Sequence, residues 1–501
     1  MKINRLYKVV IVALGMTVSF SCSDDFLVEE PLSFLSPGNT FVDAAGLETG
    51  LQRAYRGVRE QWNGDIPPLL FNHNMGETSV VGGTDKPDSY ADLRTYANPI
   101  NTRQQSGSRT RTFYEQNYEN IKTINGVIDN IDIPDWPDGA ADEDRNHILG
   151  SAYFLRAWFY LQQTMQFGNT AFPLTVVSEA KRDFKVFHMQ GIWDQMITDL
   201  EFAEEWMKPK SELPVGVAPK DAARVLLSKY YMLNERFADA ENILTDIIND
   251  GESRLFTDAD IPAGKTTVLV GNNVNPNTGN PLPGIDMNTP AQAHNVMHEN
   301  AGAQKPNNPE GIWLFVNTPQ VLGSMGRSAR IRGWGPNMFS TTGGIRIPGE
   351  SGGNGIDTRQ VTNDVNGRIM KKFGRSQGFA RITPYAQYDV WRFNGTVDEQ
   401  DYRHSDINWF EMGDAWYDNP NYETSPWYLQ PLELWPDLNN NGMRDEDELS
   451  CYDTIRNWYD WPRFKAYAVN VEHNLNRQDG GDADYYIMRM GEVYILRAEA
   501  R

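Results

Sequence analysis

The stretch DLNNNGMRDEDE, from Asp437 to Glu448, places oxygen-bearing groups at alternate positions. Asp437, Asn439 and Asn441 come first, Gly442 supplies a sharp turn, and the Met443 carbonyl follows; Asp445 can reach an ion through water, and Glu448 can close bidentately. Calcium takes roughly six to eight hard oxygens, which a loop of this length can wrap around one ion. The approach from Leu432 to Pro436 is unhelical, so a lone structural calcium loop is expected and not a paired sensor EF-hand; the plainer alternative is a solvated acidic turn. Calcium is the one cofactor the sequence implies.

Aromatic residues crowd the same region. Trp391, Trp409, Trp416, Trp427, Trp435, Trp458 and Trp461 are seven of the chain's 14 tryptophans, and they are interleaved with tyrosines. Sugar rings present flat C–H faces that stack on aromatic planes, while Asp, Asn and Arg bond the hydroxyls. Large rings also dominate buried area, so any single one is expected in the core, while the cluster is expected to expose one or two. Trp334, Trp409, Trp416 and Trp427 are the candidate platforms.

Enzyme signatures fail when read residue by residue. His294 and His298 have the spacing of a zinc-binding helix, but Asn295 stands where a metalloprotease carries its glutamate. AGKTT at 263–267 has Ala259 where a phosphate loop needs its first glycine. Cys451 has no protease signature around it. With 67 acidic residues, a chosen carboxylate pair carries no weight as a glycosidase motif.

The N-terminus points to export. Basic Lys2, Arg5 and Lys8 precede a short apolar segment, Val9 to Phe20, shorter than the roughly twenty residues a bilayer-spanning helix needs. Val18-Ser19-Phe20-Ser21 before Cys22 is close to a lipobox, with Phe20 the poorer fit. Residues 1–21 therefore read as a signal peptide and Cys22 as the lipidation site; an ordinary signal peptide with a stray cysteine is the alternative. Ser23-Asp24-Asp25 resembles an acidic tag for surface export. The net charge of −21 repels polyanions, so nucleic acid is not an expected partner. Cys22 and Cys451 are the only cysteines, and if Cys22 is lipidated the mature chain forms no internal disulfide and depends on a packed core.

The elements that must position these groups are mainly helical. Phe41, Ala44, Leu47, Leu51, Ala54, Tyr55, Val58 and Trp62 keep a helical period behind Thr40, the expected N-cap. Residues 63–112 read as a long binding loop. Helical spacing returns through Tyr114, Tyr118, Ile121, Ile124 and Ile128, then Ile148 to Phe159, then Ile192 to Ala203. Leu227, Ser228, Tyr231, Ala240, Leu244 and Ile247 take the offsets of a tetratricopeptide hairpin, which stacks on neighbours because one unit cannot bury its own face. The expected fold is thus mainly α: a tetratricopeptide-like helical-repeat scaffold over 22–255, a loop-rich excursion over 256–484 carrying the aromatic cluster and the calcium-type loop, and the start of a helical repeat over 485–501. That last pattern stops at Arg501 without a cap, which suggests partner helices beyond it.

Five segments in order, the lipobox with DDFLVEEP, ILGSAYFLRAWFYLQQTMQFGNTAFPL, IWDQMITDLEFAEEWM, GVAPKDAARVLLSKYYML and YYIMRMGEVYILRAEA, together resemble the SusD/RagB family of outer-membrane nutrient-binding lipoproteins. The resemblance implies a non-catalytic, lipid-anchored protein on the cell exterior. It would bind oligosaccharide or polysaccharide, or peptides in some branches, and would sit as a lid on a TonB-dependent, SusC-like outer-membrane transporter. An anchored glycoside hydrolase is the more distant alternative. The resemblance also implies a site formed by the loop after the first helix and the middle excursion; there this chain offers Asp65, Asn74, Asp85, Tyr90 and Arg94, opposite Trp334, Trp409, Trp416 and Trp427. These residues are chosen by loop position and chemistry, not by a match to a family motif.

Cys22→Ala is expected to release the protein from the membrane fraction and abolish lipid labelling. A variant that stays membrane-bound with unchanged labelling would refute lipidation at Cys22.

Overall fold

The computed structural model describes residues 40–62, 76–82, 109–136, 141–177, 179–268, 289–298, 308–316, 333–338, 344–350, 354–357, 376–405, 408–462, 465 and 484–501. It is a helical array with a second, irregular unit attached to it, and among the described residues strands pair only in twos. No helix among them is long and apolar enough to cross a membrane.

Helix α1 (Ala44–Trp62) starts at a different cap from the one its sequence suggests. Asp43 Oδ1, and not Thr40, accepts from the Gly46 amide at 2.7 Å and satisfies an orphan donor of the first turn. Leu47, Leu51, Ala54 and Val58 then bury one stripe. Helix α2 (Arg109–Asp129) lies against it so closely that a Cβ on Gly57 would stand 2.1 Å from Asn120 Oδ1. Helices α3 (Ala141–Phe167), α4 (Met189–Trp206), α5 (Lys220–Leu233) and α6 (Phe237–Asp250) follow, each packed on its predecessor. The small residues Ala222, Ala223 and Ser228 of α5 and Ala240 of α6 are fully buried.

A buried ion pair ties the middle of the array together. Arg156 on α3 donates to Asp199 on α4 at 2.8 Å and also reaches Asn125 on α2 and the Leu174 carbonyl. Burial pushes the Asp199 carboxyl above its usual range, against the Arg156 charge and the hydrogen bonds from Gln195 and Arg156 that hold it down.

The terminal segment departs from the expected helix. Tyr485–Arg489 is a strand, and helix α9 begins only at Met490 and runs to Ala500. The aromatic and β-branched residues Tyr485, Tyr486 and Ile487 suit an extended chain, and a partner is at hand. Strand β2 (Gly311–Phe315) pairs antiparallel with this strand, β6, from Phe315 opposite Tyr485 to Gly311 opposite Arg489. Every residue of β2 is buried, and Trp313 is enclosed by Tyr55, Phe154 and Trp158 at 5.3–6.0 Å between ring centres, with Nε1 donating to the Gly216 carbonyl. Gly311–Phe315, although inside the loop-rich excursion, therefore belongs to the helical core.

The second unit has its own core of Met338, Ile345, Ile347, Phe410, Trp416, Tyr417, Leu432 and Trp461, among others. Two-stranded ladders frame it. β1 (Ser79–Val81) pairs with β3 (Ala380–Ile382), and β4 (Trp409–Phe410) with β5 (Trp461–Pro462). Two short helices, α7 (Ala293–His298) and α8 (Thr454–Asn457), flank it. Cys451 is buried and free there, and burial pushes its thiol up to about 12, leaving it an unreactive apolar group.

Trp313→Ala removes a ring from a closed aromatic cage and is expected to cost about 3–5 kcal/mol in chemical denaturation. A loss below about 1 kcal/mol would mean that β2 does not anchor the excursion to the helices.

Candidate functional site

The two cores meet at a cavity of about 420 Å³. Its walls come from distant parts of the chain: Trp62 at the end of α1, His294 on α7, Trp334, then Ile382 to Trp391, Arg403 to Trp409, Pro462 and Lys465. The volume lies in the ~300–1,000 Å³ range usual for small-molecule sites, and the wall is mainly ring and aliphatic surface with a few polar groups, as such sites require.

Trp391 and Trp409 are fixed from behind, and so is the turn that carries Trp62. Gln61, adjacent to Trp62, donates to Asn117 Oδ1 at 2.7 Å and accepts from Trp158 Nε1 at 3.1 Å, which sets the rotation of the last turn of α1. The Trp391 indole donates to the Ala386 carbonyl at 2.8 Å and stacks on His404 with 5.0 Å between ring centres and 22° between planes. Trp409 meets the edge of Trp391 at 5.5 Å and is held in the β4–β5 ladder opposite Pro462. Trp391 and Trp334 are both half-buried.

The polar groups of the wall are neutral or cationic. Arg403 pairs with Asp401 at 2.8 Å and lies over the Trp391 ring at 5.3 Å, and the same hydrogen bond holds the Asp401 carboxyl below its usual range. Asn408 donates to the Tyr402 carbonyl at 2.7 Å, while its buried Oδ1 has no hydrogen-bond partner among the described residues. Burial, and then the charges of Lys465, Arg489 and Arg403, push His294 down to about 4 and keep its imidazole neutral. His294 and His298 meet edge to face at 5.1 Å.

Trp334 and Trp409 of the expected platforms line the cavity, Trp409 only with the small part of its ring left uncovered. Trp416 corrects the expectation: it is 4% exposed within the second core, because its segment bridges to Pro431 and turns the ring inward. Trp427 packs edge-on against Tyr417 on the outside of that core and does not line the cavity. Asp65, Asn74, Asp85, Tyr90, Arg94 and Cys22 lie outside the described residues. Sequence reasoning missed Trp62, which it read as helix core, along with Arg403, Asn408 and Lys465. The only advance signal for Trp62 was its place as the last ring before a long loop.

Comparison with known proteins gives a consistent picture. Residues 69–232 match the family described as "Starch-binding associating with outer membrane", and residues 327–501 match the SusD family. No curated protein matches the chain. Among solved structures, a SusD-like carbohydrate-binding protein from Bacteroides fragilis is similar at a TM-score of 0.55 and 13% identity, over 92% of this chain and 74% of that one. Surface glycan-binding protein A from Bacteroides uniformis is similar at 0.53 and 16% identity, over 91% and 75%. A laminarin-binding SusD-like protein reaches 0.50 at 15% identity, over 91% and 80%.

The depressed His294 sets a pH dependence. The unfolded imidazole takes up its proton near 6.5 and the folded one only near 4, so the stability this group contributes is present above 6.5 and is lost as pH falls toward 4. His294→Phe is expected to flatten that part of the stability profile in thermal melts. An unchanged profile would show an imidazole that titrates normally.

Proposed function

We propose that this chain, which belongs to the SusD/RagB family, is a non-catalytic, lipid-anchored protein facing the cell exterior that captures an oligosaccharide or polysaccharide and passes it to a TonB-dependent outer-membrane transporter. The observation that carries the reading is the cavity between the two cores, where the rings of Trp62, Trp334, Trp391 and Trp409 border a few amide and cationic groups.

The chemistry suits a sugar. The exposed parts of Trp334 and Trp391 offer contact area for the C–H faces of a pyranose, and an electron-rich ring attracts those weakly positive hydrogens. Asn408 Oδ1, buried without a donor, is an acceptor that a sugar hydroxyl can satisfy, and a satisfied buried acceptor recovers free energy that an orphan one loses. Arg403 spends its strongest hydrogen bonds on Asp401 and presents the rest of its guanidinium beside the ring. A wall of this kind gives modest affinity, because a half-open site returns little after the ordering costs of binding. Modest affinity is what a protein needs if it must release its cargo to a transporter.

The polymers named for the relatives supply the first probes, starch for the matched family and laminarin for the structural neighbour. In affinity electrophoresis over a panel that begins with these two, at least one glycan is expected to retard the protein. Trp391→Ala and Trp334→Ala should each weaken that binding about tenfold or more, and Trp427→Ala should leave it unchanged. Retardation by no glycan together with binding of peptides would replace this reading by peptide capture on the same scaffold. Release of shortened products from a bound glycan would replace it by hydrolysis.

A further inference from the structure

The loop Asp437–Glu448 takes no part in the cavity, yet its side chains are densely hydrogen-bonded. Asp437 accepts from the Asn441 and Gly442 amides, each at 2.9 Å, and Asn439 Oδ1 accepts from the Asn441 amide at 2.9 Å. Asn441 Oδ1 accepts from the Met443 amide at 2.7 Å. Asn440 and Gly442 turn through the left-handed region at φ 58° and 73°, which wraps the chain around these side chains. Asp445 Oδ2 accepts from the amide groups of both Asn439, at 2.8 Å, and Asn441, at 2.7 Å.

A separate observation concerns the twelfth position. Glu448 is 5% exposed, and its carboxylate reaches back across the loop so that Oε1 accepts from the Leu438 and Asn439 amides at 2.9 and 3.1 Å. Oε2 of the same carboxylate is buried and has no hydrogen-bond partner among the described residues. A buried carboxylate oxygen without a donor is costly, and the cost disappears if a cation takes that place.

We propose that residues 437–448 form a calcium site, with the Asp437 carboxylate, the side-chain oxygens of Asn439 and Asn441, the Met443 carbonyl and both oxygens of Glu448 as ligands, and Asp445 holding a bound water. This set falls within the roughly six to eight oxygens calcium takes; magnesium, with its tighter octahedral demand, fits a bidentate carboxylate and a flexible loop poorly. In the present arrangement no three His, Cys, Asp or Glu side chains converge on a common point among the described residues. Convergence requires the amides of Asn439 and Asn441 to rotate, exchanging their N–H donation to Asp445 for oxygen donation to the ion. The cation then takes over the positive charge those amide hydrogens now supply.

The ion would clasp a segment that closes the second core. Beside the loop, the Ser450 amide donates to the Leu434 carbonyl at 2.9 Å and the Arg346 amide to the Ser450 carbonyl at 2.8 Å, while Cys451 is fully buried. Fixing Asp437 to Glu448 therefore pins both ends of a strap across the core that also holds Trp409 and Trp416.

The test uses the full chain, stripped with EDTA and desalted, in calorimetric titration with calcium chloride and in native mass spectrometry. One calcium per chain is expected, with a Kd on the order of 10⁻⁴–10⁻³ M or tighter, as for extracellular calcium modules. The melting temperature should rise by several degrees from EDTA to millimolar calcium, with little change in equal magnesium. Asp437→Asn and Glu448→Gln should each weaken calcium binding at least tenfold, whereas Asp447→Asn, which removes a neighbouring charge outside the ligand positions, should leave it intact. Absence of calcium uptake at millimolar concentration, or an equal loss in Asp447→Asn, would overturn the site. Neither readout involves glycan, so this test and that of the cavity can fail separately.

Discussion

The structure depends on how one tryptophan is enclosed. Trp313 leaves the irregular half of the chain and enters the helical half, where rings from α1 and α3 close on it and the Gly216 carbonyl accepts its indole N–H. Gly216 has φ 99°, and a Cβ there would crowd Val316 Cγ2 at 3.3 Å, so the turn before α5 and the end of β2 fit only with glycine between them. Because β2 also pairs with β6, and β6 runs directly into α9, this one insertion ties the excursion and its return strand to the same helices. A long irregular segment with few regular backbone bonds needs such an anchor, since its own ordering entropy has little repeating structure to offset it.

The helices keep their relative register through polar contacts as much as apolar ones. Gln61, Asn117 and Gln163 run as a chain of buried amides across α1, α2 and α3, and Arg156 with Asp199 continues the linkage to α4. Apolar stripes tolerate small slides along a helix, whereas a buried amide with a displaced partner loses its hydrogen bond outright, so this network selects one register. The consequence reaches the cavity, because Trp62 follows Gln61 and inherits its orientation.

Much of this was legible in the sequence, and the exceptions have physical causes. The 3–4 residue spacing of apolar side chains marks α1 through α6, because a surface helix can bury only one stripe. The same spacing misled at Tyr485–Arg489, where the four apolar or aromatic residues Tyr485 to Met488 satisfy either period and only the distant Gly311–Phe315 decides for a strand. The cavity was half legible. Composition pointed to tryptophans after residue 330, and Trp334 and Trp409 do border it. Which face of an irregular segment points inward is set by turns and isolated bridges, however, and those left Trp416 in the core and Trp427 outside it. Trp62 belongs to another part of the chain altogether, so no local pattern could have joined it to Trp391.

Why the cavity forms at this junction follows from the same geometry. Two cores built on different principles, one of helical stripes and one of short ladders and turns, do not interlock along their whole boundary, and a gap is left where the end of α1 comes near the turn at 385–391. Rings are the side chains best able to line such a gap, because their large flat surfaces stay rigid with only two rotatable bonds. Polar groups there cannot all be satisfied internally without filling the gap. Arg403 solves this by pairing with Asp401, His294 by remaining uncharged, and Asn408 leaves one acceptor open. A site assembled from what two cores fail to cover is therefore apolar in area and sparse in polar anchors, and its preference among ligands must rest on shape and on a few hydrogen bonds far more than on charge.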